Sequence, residues 1–359
     1  MKLTKPFMQE TALSQIKILL LNSLDARYGS TYRIRAFKKV LEQQQFVVNY
    51  VEDQGNLFSK LTTALKETLG SYDLFFTQKF NPITLPCILI ARLRHKPVIV
   101  DWDDFDAGLQ GNLIKKWISS ICETIGPKFA NQILTHSHEI FQRGNSFCPT
   151  ELISQGYDDL LFRTDQQQRN KDREKWGFKK DDCVIGYMCT LTSGGAKDLP
   201  TILKTWTLVS LPQQKFFLIG GGPLEKWTKK IIKRLGLQVV MTGLIPHEEI
   251  PRALNCLDVG VVYMTDMPSN RARVSLKVIE YLAMGIPIVG KVVGETDRLF
   301  GSWIIKAGKE NLADEIMKVA VEKREVPPSP SISSFQWSRT AFSLPKIISK
   351  VLNGGEACN

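Results

Sequence analysis

Two stretches of the sequence repeat one alternation, in which apolar runs of strand length are separated by helical patterns. In the first stretch the apolar runs are Ile16–Asn22, Phe46–Val51, Asp73–Gln78, Pro97–Trp102 and Ile133–Ser137. Strands that alternate with helices in this way form a parallel sheet with helices on both of its faces. The first stretch therefore predicts an α/β domain.

The second stretch follows a strongly polar segment, residues 163–180, in which charged and amide side chains predominate. Apolar runs then return at Cys183–Cys189, Phe216–Gly222, Val239–Gly243 and Val259–Met264, again with helical patterns between them. A polar segment between two repeats of one pattern is typical of a domain boundary. The fold class that we predict is α/β, with two Rossmann-like domains facing each other across a cleft.

The predicted boundaries are an N-terminal domain over residues 1–160, a linker over 161–180 and a C-terminal domain over 181–330. A chain of 359 residues is long enough for two such domains. In α/β sheets of this kind, ligands bind at the carboxyl ends of the strands. Beyond a Pro/Ser-rich segment, an amphipathic stretch that begins at Trp337 is predicted to dock as a final helix.

Composition narrows the class of protein further. Hydrophobic residues make up 43% and charged residues 23% of the chain, which is typical of a folded globular protein. No uncharged apolar run approaches the ~20 residues that a membrane-spanning helix needs, and the N-terminal segment lacks the apolar core of a signal peptide. The seven cysteines are scattered without a CxxC pair, so we expect a reducing, cytoplasmic location without a disulfide framework or structural zinc.

The charge balance points to an anionic partner. The chain has 47 lysine and arginine residues against 36 aspartate and glutamate residues, a net charge of +11. This balance suits a phosphorylated ligand, an anionic membrane surface or nucleic acid. Because the basic residues are dispersed and not interleaved with aromatic residues, we predict no nucleic-acid partner.

The most specific pattern lies in the second stretch, where a glycine turn and a later helical segment share a fixed order of residues. That order is Gly220-Gly221-Gly222-Pro223, Gly243, Asp258, Ser275, Lys277, Glu280, Tyr281, Ala283, Gly285 and Pro287. It resembles the nucleotide-sugar domain of the retaining glycosyltransferases of family four, the glycosyl transferases group 1, which have the GT-B fold. The N-terminal half of the chain resembles this family more loosely.

The resemblance implies a retaining, metal-independent glycosyltransferase without a further cofactor. Such an enzyme moves a hexose-like sugar from a nucleoside diphosphate sugar, bound by the second domain, to a hydroxyl of a glycan or lipid-linked acceptor, bound by the first. Biosynthesis of cell-envelope polysaccharide is the expected setting. The stretch FQWSRTAF also resembles a family segment whose helix crosses back to the first domain, which implies the same course for residues 331–359.

Three residues of one predicted helix are the centre of the expected donor site. Glu280 lies among apolar residues, where a carboxylate needs a partner, and a ribose diol supplies two hydroxyl donors. Lys277 lies one turn earlier on the same face, within reach of a diphosphate at the helix start. Ser275 is the predicted N-cap of this helix. The alternatives are that Glu280 caps a loop or pairs with an arginine, and that Ser275 only caps the helix.

The chain departs from the family at the positions that usually hold the diphosphate. Ala272 stands where the family has a first Glu, and Thr190 stands where it has an Arg after the first strand of the domain. A glycine replaces the family's Lys, and Lys197 is the cation that remains nearby. The glycine turn at Gly221 belongs to the same predicted site.

Two arginines of the preceding loop are predicted to replace the missing charges. Arg271 and Arg273 stand next to the expected phosphate position and, with Lys277, supply cations for a group that carries about two negative charges. One alternative is that these arginines form a solvated basic loop. The other is that the phosphate site is degraded and the protein transfers no sugar.

The acceptor side is predicted in the first domain. Gly29 and Ser30 form a small-residue loop at a helix start, where backbone can approach a phosphate or a sugar. Asp103 and Asp104 follow a predicted strand, and either carboxylate can accept the acceptor's hydroxyl proton or stabilise an oxocarbenium-like charge. His136 follows another strand on the same side. The alternatives are a plain turn, a helix-capping carboxylate cluster and a histidine that only serves the core.

Residues 111–129 contain an amphipathic pattern that bears on where in the cell the protein is located. Ile114, Trp117, Ile118 and Ile125 recur at helical spacing beside lysines, which is typical of a helix that lies on a membrane surface. We therefore predict peripheral contact with the inner face of the cell membrane. The alternative is that the apolar stripe packs against its own domain.

Two other functions stay open beside the transferase. A sugar-nucleotide 2-epimerase on the same fold needs several catalytic acids and a histidine in the cleft, and this chain has four histidines in all. A non-catalytic protein that binds glycan or a partner through a degraded transferase site is favoured by Thr190 and Ala272.

Overall fold

The computed structural model describes residues 16–23, 31–109, 112–322 and 332–354. Of the predicted site residues, Gly29 and Ser30 lie outside these ranges. No helix within them is both long enough and apolar enough to cross a membrane.

The chain divides into two units, each with its own sheet. Unit 1 contains the chain up to residue 108, residues 112–155 and the chain from residue 337 onward. Unit 2 contains residues 156–336 together with the short segment 109–111.

The sheet of unit 1 has six parallel strands in the order β2-β1-β3-β4-β5-β6. The strands are β1 Lys17–Asn22, β2 Val47–Glu52, β3 Leu74–Gln78, β4 Val98–Asp101, β5 Gln132–Thr135 and β6 Thr150–Leu152. Every residue of the central strands β3 and β4 is buried, which explains why both appear in the sequence as unbroken apolar runs. Because the strands are parallel, all of their carboxyl ends lie at one edge of the sheet.

Helices cover both faces of this sheet. They are α1 Thr31–Gln43, α2 Leu57–Thr68, α3 Thr84–Leu93, α4 Asp106–Leu109, α5 Leu113–Ile125, α6 His138–Asn145, α15 Trp337–Thr340 and α16 Leu344–Leu352, with a 3₁₀ turn at Gly126–Phe129. One face is buried by α2, α3, α5 and α6, and the other by α1 and the two C-terminal helices.

The C-terminal helices α15 and α16 complete the core of unit 1. Leu344 and Ile348 are fully buried and share one apolar cluster with Ile34 and Phe37 of α1. The ring of Trp337 meets the ring of Phe37 edge-on, with 6.0 Å between their centroids. The end of the chain thus packs against the start of the first α/β repeat.

The sheet of unit 2 also has six parallel strands, in the order β12-β11-β10-β7-β8-β9. The strands are β7 Cys183–Met188, β8 Gln214–Ile219, β9 Val239–Met241, β10 Val259–Tyr263, β11 Ile288–Lys291 and β12 Ile304–Lys306. Two apolar clusters, one on each face of this sheet, join the strands to the flanking helices.

The helices of unit 2 alternate with its strands. They are α7 Gln166–Lys175, α8 Leu199–Trp206, α9 Glu225–Arg234, α10 Ile250–Leu254, α11 Pro268–Arg271, α12 Leu276–Ala283, α13 Gly294–Phe300 and α14 Leu312–Glu322, with 3₁₀ turns at His247–Glu249, Gly301–Trp303 and Ile332–Phe335.

The segment predicted as a linker, residues 161–180, is instead a structured part of unit 2. It contains α7, and Arg173 of this helix is buried. The guanidinium groups of Arg169 and Arg173 donate to opposite oxygens of Asp258, at 2.7 and 2.6 Å. The polar composition of this segment therefore does not reflect a linker. Two of its arginines bind a carboxylate at the start of β10. Asp258, part of the family-like pattern, serves packing in this way.

Candidate functional site

The start of α12 is formed by a loop that joins β10 to the helix. Ser275 takes the N-cap position, but its hydroxyl makes no capping hydrogen bond with the first turn. Its backbone N–H donates to Oγ1 of Thr296 at 3.0 Å, and that hydroxyl donates to the carbonyl of Arg273 at 2.9 Å. Thr296 of α13 therefore fixes the loop, and Ser275 occupies the predicted N-cap position without a side-chain capping bond.

Lys277, in the first turn of α12, has no counter-ion. Its Nζ lies 4.4 Å from the centroid of the Tyr187 ring, and within the described ranges no carboxylate comes within ion-pair distance of it. Burial lowers the pKa of Lys277 to about 8, and the charge of Arg273 acts in the same direction. The result is a poorly solvated cation that has charge to offer an anionic ligand.

Glu280, one turn further along α12, is 3% exposed and is paired with a histidine. Nε2 of His247 lies 3.0 Å from Oε1 of Glu280. In the described part of the chain, the hydrogen bonds of this carboxylate run through Oε1 and none reaches Oε2. His247 and Glu280 are 33 residues apart in the sequence, so their pairing was not predicted.

Of the two arginines predicted to replace missing charges, one is already paired. The Nη2 of Arg271 donates to Oδ2 of Asp266 at 2.8 Å, and the residue is strongly exposed. Arg273 is half-buried and close enough to Lys277 to lower the pKa of that lysine. The predicted convergence of Arg271, Arg273 and Lys277 is thus reduced to Arg273 and Lys277.

The loop after β7 brings further polar groups to the same edge of the sheet. Thr190 is half-buried directly after the strand, whereas Lys197 is exposed before α8. Next to it, Oδ1 of Asp198 accepts hydrogen bonds from the backbone N–H and the hydroxyl of Thr265, at 3.1 and 2.5 Å. Asp198 therefore ties the loop after β7 to the loop after the adjacent strand β10, and nothing in the sequence pattern marked it.

The glycine turn after β8 serves close packing of backbone. Gly220 has φ 123°, and a Cβ there would lie 2.1 Å from the carbonyl oxygen of Cys189. A Cβ on Gly221 would lie 2.3 Å from the backbone nitrogen of Leu244. The predicted site residue Gly221 is thus required because two neighbouring loops approach it, and its space is filled by backbone of the protein itself.

Unit 1 has its polar cluster at the carboxyl ends of β3 and β4. We call it the Lys79 cluster, and it consists of Lys79, Asp103, Asp104, Asp106 and Glu123. The Nζ of Lys79 lies 2.7 Å from Oδ1 of Asp106, 3.4 Å from Oδ1 of Asp103 and 3.6 Å from Oδ2 of Asp104. Sequence reasoning found the two predicted aspartates and missed the lysine, although it directly follows a predicted strand.

The backbone holds Lys79 in an unusual conformation. Its φ is 66°, a left-handed value that is unfavourable for a residue with a side chain. The Lys79 N–H donates to the carbonyl of Asp101 at 2.9 Å, and its carbonyl accepts the hydroxyl of Thr84 at 2.8 Å. These bonds turn the buried ammonium toward the carboxylates.

The Lys79 cluster contains more carboxyl groups than cations, and the pKa values of two of these carboxyl groups are raised. Burial raises the pKa of Asp103 to about 8 although Lys79 opposes this shift, and burial with the neighbouring Asp106 raises the pKa of Glu123 to about 7. Oδ2 of Asp103 accepts the Gln78 side-chain amide at 3.0 Å. Asp103 is therefore engaged within the fold, and Asp104, which is half-buried, is the more accessible of the two predicted catalytic residues.

His136 lies at the carboxyl end of β5, the strand next to β4, and is buried. This places it at the same edge of the sheet as the Lys79 cluster. Within the described ranges no group of three His, Cys, Asp or Glu side chains is arranged to hold a metal ion. An ammonium group occupies the centre of the carboxylates of unit 1.

Comparison with known proteins bears first on unit 2. Residues 182–320 match the model of the family described as glycosyl transferases group 1. The 2-deoxystreptamine N-acetyl-D-glucosaminyltransferase of Streptomyces fradiae is 29% identical over 123 residues, which are 33% of this chain and 28% of that enzyme. The match thus spans less than a third of the length of this relative.

Solved structures resemble the chain over nearly its whole length. The crystal structure of Anabaena HepE in complex with UDP and glucose gives a TM-score of 0.72 at 18% identity, over 93% of this chain and 100% of the other. Sucrose-phosphate synthase from Thermosynechococcus elongatus gives 0.72 at 15% identity, over 94% and 100%. At such identities the likeness concerns the fold, and the predicted fold class is confirmed. Residues 182–320 are thus similar to the glycosyl transferases group 1, in a chain that has the GT-B fold.

Proposed function

We propose that this protein is a retaining glycosyltransferase. It moves a sugar from a nucleoside diphosphate sugar, bound by unit 2, to a hydroxyl of a glycan or lipid-linked acceptor, bound by unit 1. The observation that carries the proposal is a pair of side chains on one face of α12: within the described ranges Lys277 has no ion-pair partner, and Oε2 of Glu280 accepts no hydrogen bond. A nucleoside diphosphate offers the two complementary groups, an anion and a ribose diol.

In this proposal the cations of unit 2 stabilise the leaving group. Lys277 and Arg273 neutralise charge on the diphosphate as the bond to the sugar breaks, and the low polarity around Lys277 strengthens that interaction. Glu280 accepts hydrogen bonds from the ribose and fixes the nucleotide. The reaction then needs no metal ion, because side-chain cations supply the positive charge. The name of the Anabaena neighbour, a complex with UDP and glucose, supports a donor of this class.

Unit 1 is proposed to supply the acceptor side through Asp104. Its carboxylate is half-buried and lies 3.6 Å from Nζ of Lys79. A carboxylate can orient the acceptor hydroxyl or stabilise positive charge on the sugar. Asp103 and His136 then support it from within the fold.

We further propose that the acceptor is bound to a membrane. The exposed residues of helix α5 support this proposal. Leu113, Ile114 and Trp117 are exposed by 83, 69 and 67%, with the exposed Lys115 and Lys116 between them. The apolar stripe therefore does not pack into its own unit along the first turns of α5. Exposed apolar residues with an interfacial tryptophan and lysines suit an anionic bilayer surface.

Vesicle sedimentation tests this membrane contact. We expect the protein to sediment with phosphatidylcholine vesicles that contain phosphatidylglycerol, and less with phosphatidylcholine alone. Trp117→Ser should reduce the bound fraction, whereas Trp227→Ser, at a 42% exposed tryptophan of unit 2, should not. Equal sedimentation of all three proteins would refute contact through α5.

The donor proposal is tested with thermal melting in a panel of nucleoside diphosphates and nucleotide sugars, because a ligand of the native state raises its melting temperature by mass action. Glu280→Ala should leave melting without ligand nearly unchanged and weaken nucleotide binding by about 1.5–3 kcal/mol, the value of a hydrogen bond to a charged group. If no nucleotide sugar shifts the wild-type protein, the non-catalytic interpretation replaces ours.

For any donor that binds, NMR of the anomeric proton tests the stereochemistry. A retaining enzyme gives a product whose anomeric configuration equals that of the donor. A product of inverted configuration would contradict the retaining mechanism and leave the donor site in place.

A further inference from the structure

The pairing of His247 with Glu280 determines which carboxylate oxygen of Glu280 is available to a ligand. Nε2 of the histidine lies 3.0 Å from Oε1, and both side chains are largely buried, with 15% and 4% exposure. A buried carboxylate without a hydrogen-bond donor is strongly unfavourable. The histidine therefore satisfies one oxygen, and within the described ranges no donor reaches the other, Oε2.

The position of His247 is itself fixed. Its ring packs against the buried ring of Phe162, with 5.2 Å between the centroids. The 3₁₀ turn His247–Glu249 is held at its other end, where Lys175 Nζ lies 2.6 Å from Glu249. The contact with Phe162 places the imidazole, the ion pair of Glu249 holds the turn that carries it, and the ring meets Glu280 in this position.

A ribose diol requires a carboxylate in one orientation, because its two hydroxyls are fixed on a ring. A carboxylate held through one oxygen presents the other at a defined angle, whereas an unheld carboxylate rotates and loses hydrogen-bond geometry. This requirement connects the histidine, which touches no ligand in our proposal, with recognition of the sugar of the nucleotide.

We propose that His247 is a positioning residue that makes unit 2 selective for ribonucleotides over 2′-deoxyribonucleotides. It holds Oε1 of Glu280 so that Oε2 meets the ribose hydroxyls. The inference rests on the proposed donor site, and it adds the residue on which ribose selectivity depends.

The test is a calorimetric comparison of UDP, GDP, ADP and CDP with their 2′-deoxy counterparts. For the base that binds best, wild-type protein should prefer the ribonucleotide at least about tenfold, as expected from one hydrogen bond to a charged group. His247→Phe keeps a ring against Phe162 and removes the donor, so the preference should fall to about twofold or less. His247→Gln keeps a donor and should retain an intermediate preference.

The matched control is His138→Ala, at an exposed histidine of unit 1, and it should keep the wild-type preference. Thermal melting identifies a variant that does not fold, and the Phe and Gln variants then carry the test in place of an alanine variant. An unchanged preference in a folded His247→Phe protein would overturn the inference and leave the donor site intact. Wild-type protein that binds none of the eight nucleotides would overturn the proposed function and the inference together.

Discussion

Each unit contains a lysine at the carboxyl edge of its sheet, and the two lysines have opposite pKa shifts. Burial acts against the charge of Lys79, but Asp103, Asp106 and Asp104 outweigh it and hold the pKa of Lys79 well above its ordinary value. Burial also acts on Lys277, where Asp198 and Glu280 offset it only in part, and lowers the pKa to about 8. The difference lies in the partners that the fold supplies.

This comparison separates charges that maintain the fold from charges that remain available to a ligand. The ammonium of Lys79 contacts carboxylates within its own unit, so its removal is expected to affect stability. Lys277 lies over an aromatic ring without an ion-pair partner in the described ranges, so its removal is expected to affect binding. Lys79 is buried and Lys277 is half-buried, and the internal pairing is what separates their expected roles.

The largest expected effect is on the stability of unit 1. Lys79→Met removes the cation from between buried carboxylates and should lower the free energy of unfolding by about 3–5 kcal/mol, the usual result of breaking a buried ion pair. Urea denaturation measures it. The double variant Lys79→Met/Asp106→Asn should recover part of the loss, because one unpaired charge is gone. A loss below ~1 kcal/mol would remove the contrast between the two lysines.

The next effect is the pH dependence of nucleoside diphosphate binding. Lys277 loses its proton as the pH rises through about 8, so binding above that pH must take up a proton and the dissociation constant should rise by up to about tenfold per pH unit. Calorimetry between about pH 7 and 9, roughly one unit on either side of the pKa, measures this slope. Lys277→Met should bind weakly with a flat profile, and a flat profile in wild-type protein would contradict the assignment.

The smallest effect is expected at Arg271. Because its guanidinium is exposed and already paired with Asp266, Arg271→Ala should change nucleoside diphosphate affinity by less than about 1 kcal/mol. Titration of this variant beside wild-type protein measures the change. A loss as large as that of Lys277→Ala would show that the arginine leaves Asp266 to hold the diphosphate, as the sequence alone predicted.

Features that depend on residues close together in the sequence could be predicted, whereas features that depend on distant residues could not. The strands and helices arise from periodicity within a few residues, and both sheets follow from it. The short strands β6 and β12 and the helix α7 were missed, because none of them has an extended local apolar pattern. The two arginines of α7 find Asp258 more than eighty residues away, so their composition looked like that of a linker.

The candidate site shows the same dependence on distance along the sequence. Glu280 and Lys277 were found because they lie one turn apart in a helix, which is a local relation. The partners of the site residues were missed, since His247 approaches Glu280 from a separate turn and Lys79 approaches Asp103 from the adjacent strand. Arg271 was misjudged for the same reason, because its guanidinium is paired with Asp266.

The central claim is that Lys277 binds the diphosphate and that Glu280 binds the ribose. One set of titrations tests this claim most directly. A nucleoside and its diphosphate are titrated calorimetrically into wild-type protein, Lys277→Ala and Glu280→Ala. We predict that Lys277→Ala weakens diphosphate binding by about tenfold to a hundredfold and leaves nucleoside binding unchanged, whereas Glu280→Ala weakens both alike. Equal losses for both ligands in Lys277→Ala, or no loss in either variant, would contradict the account.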